Sequence, residues 1–277
     1  MPTPDETELL ALIDGCLHRL AEQLEPIRGV LDDPVIDPKL RTLLVTASAT
    51  ADWVLTTART MVGNQAVADR REHVAQTAAA DVDANNFVGL IRSIDHLYDE
   101  AVAAVTANER DERDRAPRGS YRPSQLWSVT LPLKDATVRI PSYTQLAADC
   151  FVRLHQPATE SEAPQTSSPE DCVCRNRPLT YTELDSHYLG TDHTDGRHGE
   201  VTINQCHHCG QRWLRYYYEG WHSYAGRWFQ TPVSPVIEQT VKPETATAVL
   251  DCREYFCGGS HFSGKVRWTS GPVDLWG

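Results

Sequence analysis

Long apolar segments are missing from this 277-residue chain, and so is a leader of positive charge followed by apolar residues. A membrane-spanning helix needs about 20 mostly apolar residues, and a secretory leader needs a charged start and an apolar core. Their absence argues against helical membrane proteins and exported proteins. We therefore expect a soluble, cytoplasmic protein with no membrane partner.

Motifs of the common enzyme families are missing as well. The sequence has no nucleophile elbow, no phosphate loop and no dinucleotide-binding fingerprint. Its first half has no Glu-x-x-His pair, which the diiron sites of helical bundles require. The zinc-deaminase signature also fails, because Gln205 stands where that signature has proline. These absences favour a non-enzymatic protein.

Positive charge is scarce. The chain has 26 Lys and Arg against 38 Asp and Glu, and residues 1–116 alone hold 11 against 21. An acidic surface repels phosphate backbones, so nucleic acid is a less favoured partner than protein. A basic protein partner fits the charge, as it would for an immunity-like or regulatory protein that neutralises its target.

The eight cysteines are not spaced like a disulfide framework. Cys16 and Cys150 lie in helical patterns, whereas Cys172-Val173-Cys174 and Cys206-His207-His208-Cys209 are close-set pairs. This distribution favours a reducing compartment and metal-bound thiolates. Two thiol pairs far apart in sequence can build a tetrahedral sulfur site, which usually holds zinc, and Gly210 lets the chain turn back after the second pair.

Residues 170–230 resemble the zinc-ribbon family, with Cys172, Cys174, Cys206 and Cys209 at the positions of its four ligands. The resemblance implies zinc and a small antiparallel sheet pinned at one end by the metal. It implies no particular activity, because zinc ribbons serve unrelated tasks. The first pair is one residue shorter than the usual spacing, so His187 or His198 is an alternative ligand.

The first 110 residues predict an acidic bundle of three or four amphipathic helices. A capping box at Thr3 and Glu6 begins the first helix, which we expect to end before Pro26. Further helices are predicted from Pro38 to Val62, from Gln65 to Ala80 and from Asn85 to Ala107.

Four domains follow from the changes in composition, and together they predict an α+β protein. After the bundle, residues 111–155 are predicted to be a linker with a short hairpin, near 126–140, and a helix that begins at Ser142. Residues 156–171 have no large apolar residue and are predicted to be a flexible linker. Residues 172–277 form the zinc-ribbon-like β module with an aromatic tail.

The β module contains two further candidate sites. Aromatic and basic residues on its strands predict an interaction face, although the same rings also suit a small core. The candidates for this face are Trp213, Arg215, Tyr217, Arg227 and Trp228. Cys252, Cys257, His261 and His222 are candidates for a second metal site, with ordinary core cysteines as the alternative.

Three functions are consistent with these patterns. The first is a zinc-stabilised protein that binds a protein partner, or associates with itself through the bundle. The second is a nucleic-acid-binding protein that uses the module's basic residues, Arg212, Arg215, Arg227, Lys265 and Arg267. The third is a metal-dependent hydrolase that uses the histidine-rich segment around His187, His193, His198, His207 and His208, with Glu200.

Overall fold

The computed structural model of the chain describes residues 3–31, 38–67, 77–115, 127–156, 172–177, 179–219, 226–259 and 267–274. The described residues of the first half form four long helices: α1 (Pro4–Leu31), α2 (Pro38–Val67), α3 (Thr77–Arg115) and α4 (Trp127–His155). The second half contains a six-stranded antiparallel sheet. The predicted α+β class is therefore confirmed. No helix of the described residues is long and apolar enough to cross a membrane.

Helix α1 begins with the predicted capping box. The Thr3 amide donates to Glu6 Oε2 at 2.7 Å, and the Glu6 amide donates to Thr3 Oγ1 at 3.3 Å. The prediction that the helix ends before Pro26 is wrong, because α1 continues through Pro26 to Leu31. Ile27 explains the continuation, since it extends the stripe of Leu20 and Leu24 and is fully buried.

Helix α4 replaces the hairpin that the sequence suggested near residues 126–140. Its buried positions recur at three- and four-residue steps on both sides of Pro141, so the helical period is continuous. Burial of this stripe outweighs the backbone hydrogen bond that a proline removes from a helix. The stripe consists of Ala136, Ile140, Tyr143, Ala147, Cys150, Phe151 and Leu154.

The remaining predicted segments are only partly described. Residues 77–80 already belong to α3, and α2 extends to Val67, so the described parts of the predicted helix from Gln65 to Ala80 belong to its neighbours. Residues 68–76, most of the predicted linker at 156–171, and the linker residues 116–126 lie outside the described part of the chain.

The chain forms two compact units, and their boundary differs from the predicted one. One unit comprises Cys16–Phe151, and the other comprises Pro2–Gly15 and Val152–Gly277. The start of α1 therefore belongs to the sheet unit, where Glu8 forms an ion pair with Arg253. A Cβ at Gly15 would lie 2.9 Å from Cys252 Cβ, so glycine permits this close approach.

The sheet is a meander in which each strand pairs with its sequence neighbour. It includes two strands from the aromatic tail, which the sequence did not predict. The strands are β1 (Leu184–Asp192), β2 (Gly199–Cys206), β3 (Arg212–Tyr218), β4 (Arg227–Val233), β5 (Tyr255–Gly259) and β6 (Arg267–Thr269). Between β4 and β5 lie two short helices, α5 (Pro235–Thr240) and α6 (Ala246–Asp251).

The two faces of the sheet differ because side chains alternate along each strand. The inner face includes Val201, Leu214, Tyr216 and Phe229, which are buried, and α6 packs against β3 and β4. The opposite face, called the cysteine face here, carries Cys206, Trp213, Arg215, Gln230 and Phe256, which follow one another through the strand registers.

A buried polar cluster closes one end of the inner face. The Tyr216 hydroxyl donates to Asp192 Oδ2 at 2.9 Å, and Arg197 Nη2 lies 3.5 Å from the same oxygen. Burial raises the pKa of Tyr216, and the neighbouring Asp192 carboxylate raises it further. Gly199 leaves the space for this ring, since a Cβ there would lie 2.1 Å from it.

Candidate metal centre

The four cysteines predicted as ligands come together at one end of the cysteine face. Their sulfur atoms all lie within 4.8 Å of one another. The Sγ atoms of Cys172 and Cys206 are 3.9 Å apart, and those of Cys174 and Cys209 are 3.6 Å apart. Among the described residues, this group of Cys, His, Asp and Glu side chains is the one that could share a metal ion.

Two tight turns present the thiols. Cys172 and Cys174 belong to a single 3₁₀ turn (Val173–Arg175), whose Arg175 amide donates to the Cys172 carbonyl at 2.9 Å. Cys206 ends β2, and the Gly210 amide donates to its carbonyl at 2.8 Å. Gly210 has φ of 74°, which is the conformation that the sequence predicted for this glycine.

The cluster is enclosed by apolar side chains. Cys172, Cys174 and Cys206 are buried with Trp213 and Phe256, and Cys209 packs against this group half-buried. The Trp213 and Phe256 rings meet edge to face with centroids 5.3 Å apart. Water is thus largely kept from the sulfur atoms.

This environment disfavours thiolates unless a cation is present. Burial raises the pKa of the Cys174 and Cys206 thiols, and the neighbouring thiols raise that of Cys174 further. A dication bound by the four sulfurs reverses this preference, because coordination deprotonates the thiols. The four sulfur atoms are thus placed where they could hold a metal ion together.

Glu183 links the loop of the first cysteine pair to the turn of the second. Its carboxylate accepts hydrogen bonds from Arg177 and from the Thr180 amide, and its Oε1 lies 3.6 Å from His208 Nε2. The Arg177 hydrogen bonds are the main reason that the pKa of Glu183 lies well below its usual value. In addition, the His207 amide donates to the Glu183 carbonyl at 3.0 Å.

The histidines near the cysteines are engaged elsewhere or exposed. His207 Nε2 lies 3.0 Å from Asp185 Oδ1, and both side chains are accessible to solvent. His187 is exposed on β1, and His198 is exposed with its ring edge-on to His193. The ligand atoms of these histidines do not join the four sulfurs or form a group of their own among the described residues.

The predicted second metal site is only half described. His222 and His261 lie outside the described residues, so the site stays a prediction. Cys257 lies on β5 opposite Phe229, and Cys252 follows α6, where it faces Gly15.

The five residues of the predicted interaction face lie on different sides of the sheet and differ in burial. Trp213 is fully buried beside the cysteines, and Arg227 lies on the inner-face side of β4, opposite to Arg215. Arg215, Tyr217 and Trp228 do share the cysteine face and are half-buried. Of the other basic residues proposed for nucleic acid, Arg212 pairs with Glu238 at 3.2 Å, and Lys265 lies outside the described part. The described arginines therefore do not form one basic surface.

No family model, curated protein or solved structure matches this chain. The resemblance to zinc ribbons accordingly depends on the four cysteines and their turns, and it assigns no activity.

Some residues of the site could not be found from motif spacing. Glu183 and Arg177 belong to no recognised pattern, although a carboxylate and an arginine near a cysteine pair are a weak signal for ligand support. The strand alternation of Trp213, Arg215 and Tyr217 was visible in the sequence and indicated that these three share a face. It did not indicate which of them the cysteines would cover.

Proposed function

We propose that the four cysteines bind a structural zinc ion and that the protein is a non-enzymatic binding protein whose sheet unit this ion stabilises. The main support for this proposal is the set of distances between the sulfur atoms. Tetrahedral zinc with Zn–S bonds of about 2.3 Å requires S···S separations of about 3.8 Å. The separations of 3.9 and 3.6 Å bracket that value. None of these four thiols is joined in a disulfide.

A structural role fits better than a catalytic one. Four thiolates fill the coordination sphere of tetrahedral zinc and leave no position for water or substrate. The surrounding Trp213 and Phe256 are fully buried, so a substrate has no direct approach to the sulfurs from that side. Iron also accepts four thiolates in this geometry, and metal analysis separates the two.

The test is the zinc content of purified variants. Cys174→Ser and Cys206→Ser should lose the single zinc. His207→Ala and His208→Ala, which change exposed histidines in the turn between β2 and β3, should keep it. Equal zinc content in the cysteine variants and the unaltered protein contradicts the proposal, and loss in His187→Ala or His198→Ala points to a mixed site instead.

We also propose that the protein partner is a second copy of this chain and that α2 provides the interface. One face of α2 has no charged side chain over about five turns and includes Trp53, which is 60% exposed. The threonine hydroxyls on this face donate to carbonyls of their own helix. Burial of these hydroxyls against a partner therefore costs little free energy, because their hydrogen bonds are kept when water is displaced. The face consists of Thr42, Val45, Thr46, Ala49, Trp53, Thr56 and Thr60.

Charge favours a second copy as the occupant. Asp52 and Arg59 are seven residues apart and therefore border the same edge of this face. When two α2 helices pack antiparallel about a twofold axis near Thr56, Asp52 of each copy lies opposite Arg59 of the other. Within one chain, Asp52 pairs with Arg28, and Arg59 Nη2 donates to the Leu17 carbonyl at 3.4 Å.

Sedimentation equilibrium of charge-swapped variants tests this interface. Asp52→Arg and Arg59→Asp should each weaken the dimer about tenfold, and the double variant should recover most of the loss. Trp53→Ala should also weaken it, whereas Leu43→Ala, on the same helix but outside the face, should not. A protein that stays monomeric at all concentrations, or a double variant no better than either single one, contradicts the proposal.

A further inference from the structure

A row of polar side chains crosses the middle of the cysteine face. Thr202 of β2, Arg215 of β3 and Gln230 of β4 are directly paired in the strand registers, and their side chains point to the same side. Asn204 is two residues from Thr202 on β2 and shares that side. The row lies next to the cysteine cluster but contributes no residue to it.

The polar groups of this row are unusual because most of them lack a hydrogen-bond partner among the described residues. The Thr202 hydroxyl is buried and makes no hydrogen bond. Gln230 and Asn204 are both more than nine-tenths buried. Asn204 Oδ1 accepts from Ser186 Oγ at 2.8 Å, but no described group accepts from the Asn204 amide nitrogen, and the Gln230 amide has no such bond.

The Arg215 guanidinium has no carboxylate partner within ion-pair distance in the described part of the chain. It lies over the Tyr217 ring at 5.5 Å from the centroid, and it is half-buried. Burial lowers the pKa of Arg215, and the charges of Tyr217 and Glu200 oppose that effect. A buried arginine usually has a bidentate acceptor, because its five donors are costly to leave unsatisfied.

We propose that Arg215, Thr202, Asn204 and Gln230 form a binding site for a carboxylate, held by the guanidinium and the neighbouring amide and hydroxyl groups. The ligand is the carboxylate of a small organic acid or of a peptide C-terminus, which share the same chemistry. The site shares no residue with the proposed α2 interface. The metal does not contact the bound carboxylate.

The charge of the site favours a carboxylate over a phosphate. Arg215 is the one cation in this row, and the exposed Glu200 lies on the same face, paired in register with Tyr217. A single negative charge is matched by one guanidinium, whereas a phosphate dianion leaves charge uncompensated beside Glu200. Tyr217 and Trp228 are paired on adjacent strands beside the row and offer half-buried rings to an apolar group on the same ligand.

The experiment is a titration of the zinc-loaded, full-length protein followed by NMR of the arginine Nε–Hε signals. The probe is N-acetylphenylalanine, which has a peptide-like carboxylate and a ring. The Arg215 signal, identified by its loss in Arg215→Lys, should shift and saturate. N-acetylphenylalanine amide, which lacks the carboxylate, should bind at least tenfold more weakly. Phenylacetate distinguishes the two sources, since equal binding favours a small acid and weaker binding favours a peptide terminus.

Matched variants make the result specific to this row. Arg215→Gln should weaken binding more than tenfold, and Arg215→Lys should fail to restore it, because lysine lacks the planar fork. Arg227→Gln removes an arginine from the other face of the sheet and should bind like the unaltered protein. Unchanged zinc content and circular dichroism establish that each variant is folded. No shift of Arg215 with any carboxylate, tighter binding of inorganic phosphate, or an equal loss in Arg227→Gln overturns the proposal.

Discussion

The sulfur atoms of Cys174 and Cys209 lie 3.6 Å apart although 35 positions separate the residues in sequence. Cys174 lies in the segment before β1, and Cys209 lies in the turn between β2 and β3. A metal bound by both cysteines would therefore connect the segment before β1 to the turn between β2 and β3. Trp213 of β3 and Phe256 of β5 pack on the same cysteines, so a metal bound there would fix these rings as well.

Removal of the metal should destabilise the sheet unit first. The cysteines share a cluster with Trp213, so a strong chelator should lower the melting temperature and reduce near-ultraviolet circular dichroism and tryptophan fluorescence. The helical signal at 222 nm should fall much less, because the apolar stripes of the helices contain no residue of this cluster. An unchanged melting temperature after complete zinc removal contradicts a structural role.

Glu183 should influence zinc affinity without being a ligand. It holds the Arg177 loop and the His208 turn together, and loss of such outer contacts typically costs about 10- to 100-fold in metal affinity. Glu183→Ala should therefore weaken zinc binding by about tenfold in competition with a chromophoric chelator. Asp185→Ala, which removes the exposed partner of His207, is the matched control and should have little effect. Equal affinities in both variants would show that Glu183 has no such role.

Gly199→Ala should destabilise the sheet unit by about 2–4 kcal/mol, because the added methyl group collides with the Tyr216 ring in a filled core. Displacement of that ring also breaks its hydrogen bond to Asp192. Gly89→Ala on α3 meets nothing within 4 Å and should be neutral or slightly stabilising. Denaturant unfolding followed by tryptophan fluorescence measures both changes, and a neutral Gly199→Ala would mean that this core accommodates the methyl group.

Asp95→Asn should raise the free energy of unfolding at pH 7. Burial is the main cause of the raised pKa of Asp95, which is above the ordinary value of 3.8. Since the folded-state pKa is the higher one, stability falls as pH rises through the interval between the unfolded and folded values. Asparagine retains an acceptor for the Thr144 hydroxyl, 2.9 Å away, and avoids the buried charge.

The pH dependence of the gain in unfolding free energy tests this explanation of the Asp95→Asn effect. It should shrink as pH falls through the ordinary aspartate range, where the carboxyl is protonated in both states. Asp114→Asn, an exposed change on the same helix, is the control for net charge. A gain of the same size at pH 3 and pH 7 would contradict the electrostatic explanation.

Local spacing predicted the site better than it predicted the helices. The two cysteine pairs and Gly210 are patterns of local spacing, so the four cysteines that the structure brings together could be identified from sequence. Pro26 misled the predicted end of α1, and the expected hairpin near residues 126–140 misled the predicted start of α4, because burial of Ile27 and of the α4 stripe outweighs the proline penalty. Pairing of the start of α1 with Arg253 is a long-range contact that no local pattern reveals.

The zinc K-edge absorption spectrum of the purified protein tests the central claim most directly. Four cysteines as ligands predict four sulfur scatterers at about 2.3 Å and no nitrogen or oxygen in the first coordination sphere. A sphere that contains nitrogen or oxygen at about 2.0–2.1 Å contradicts the closed four-thiolate site. A protein that contains no metal when purified from metal-sufficient cells contradicts it as well.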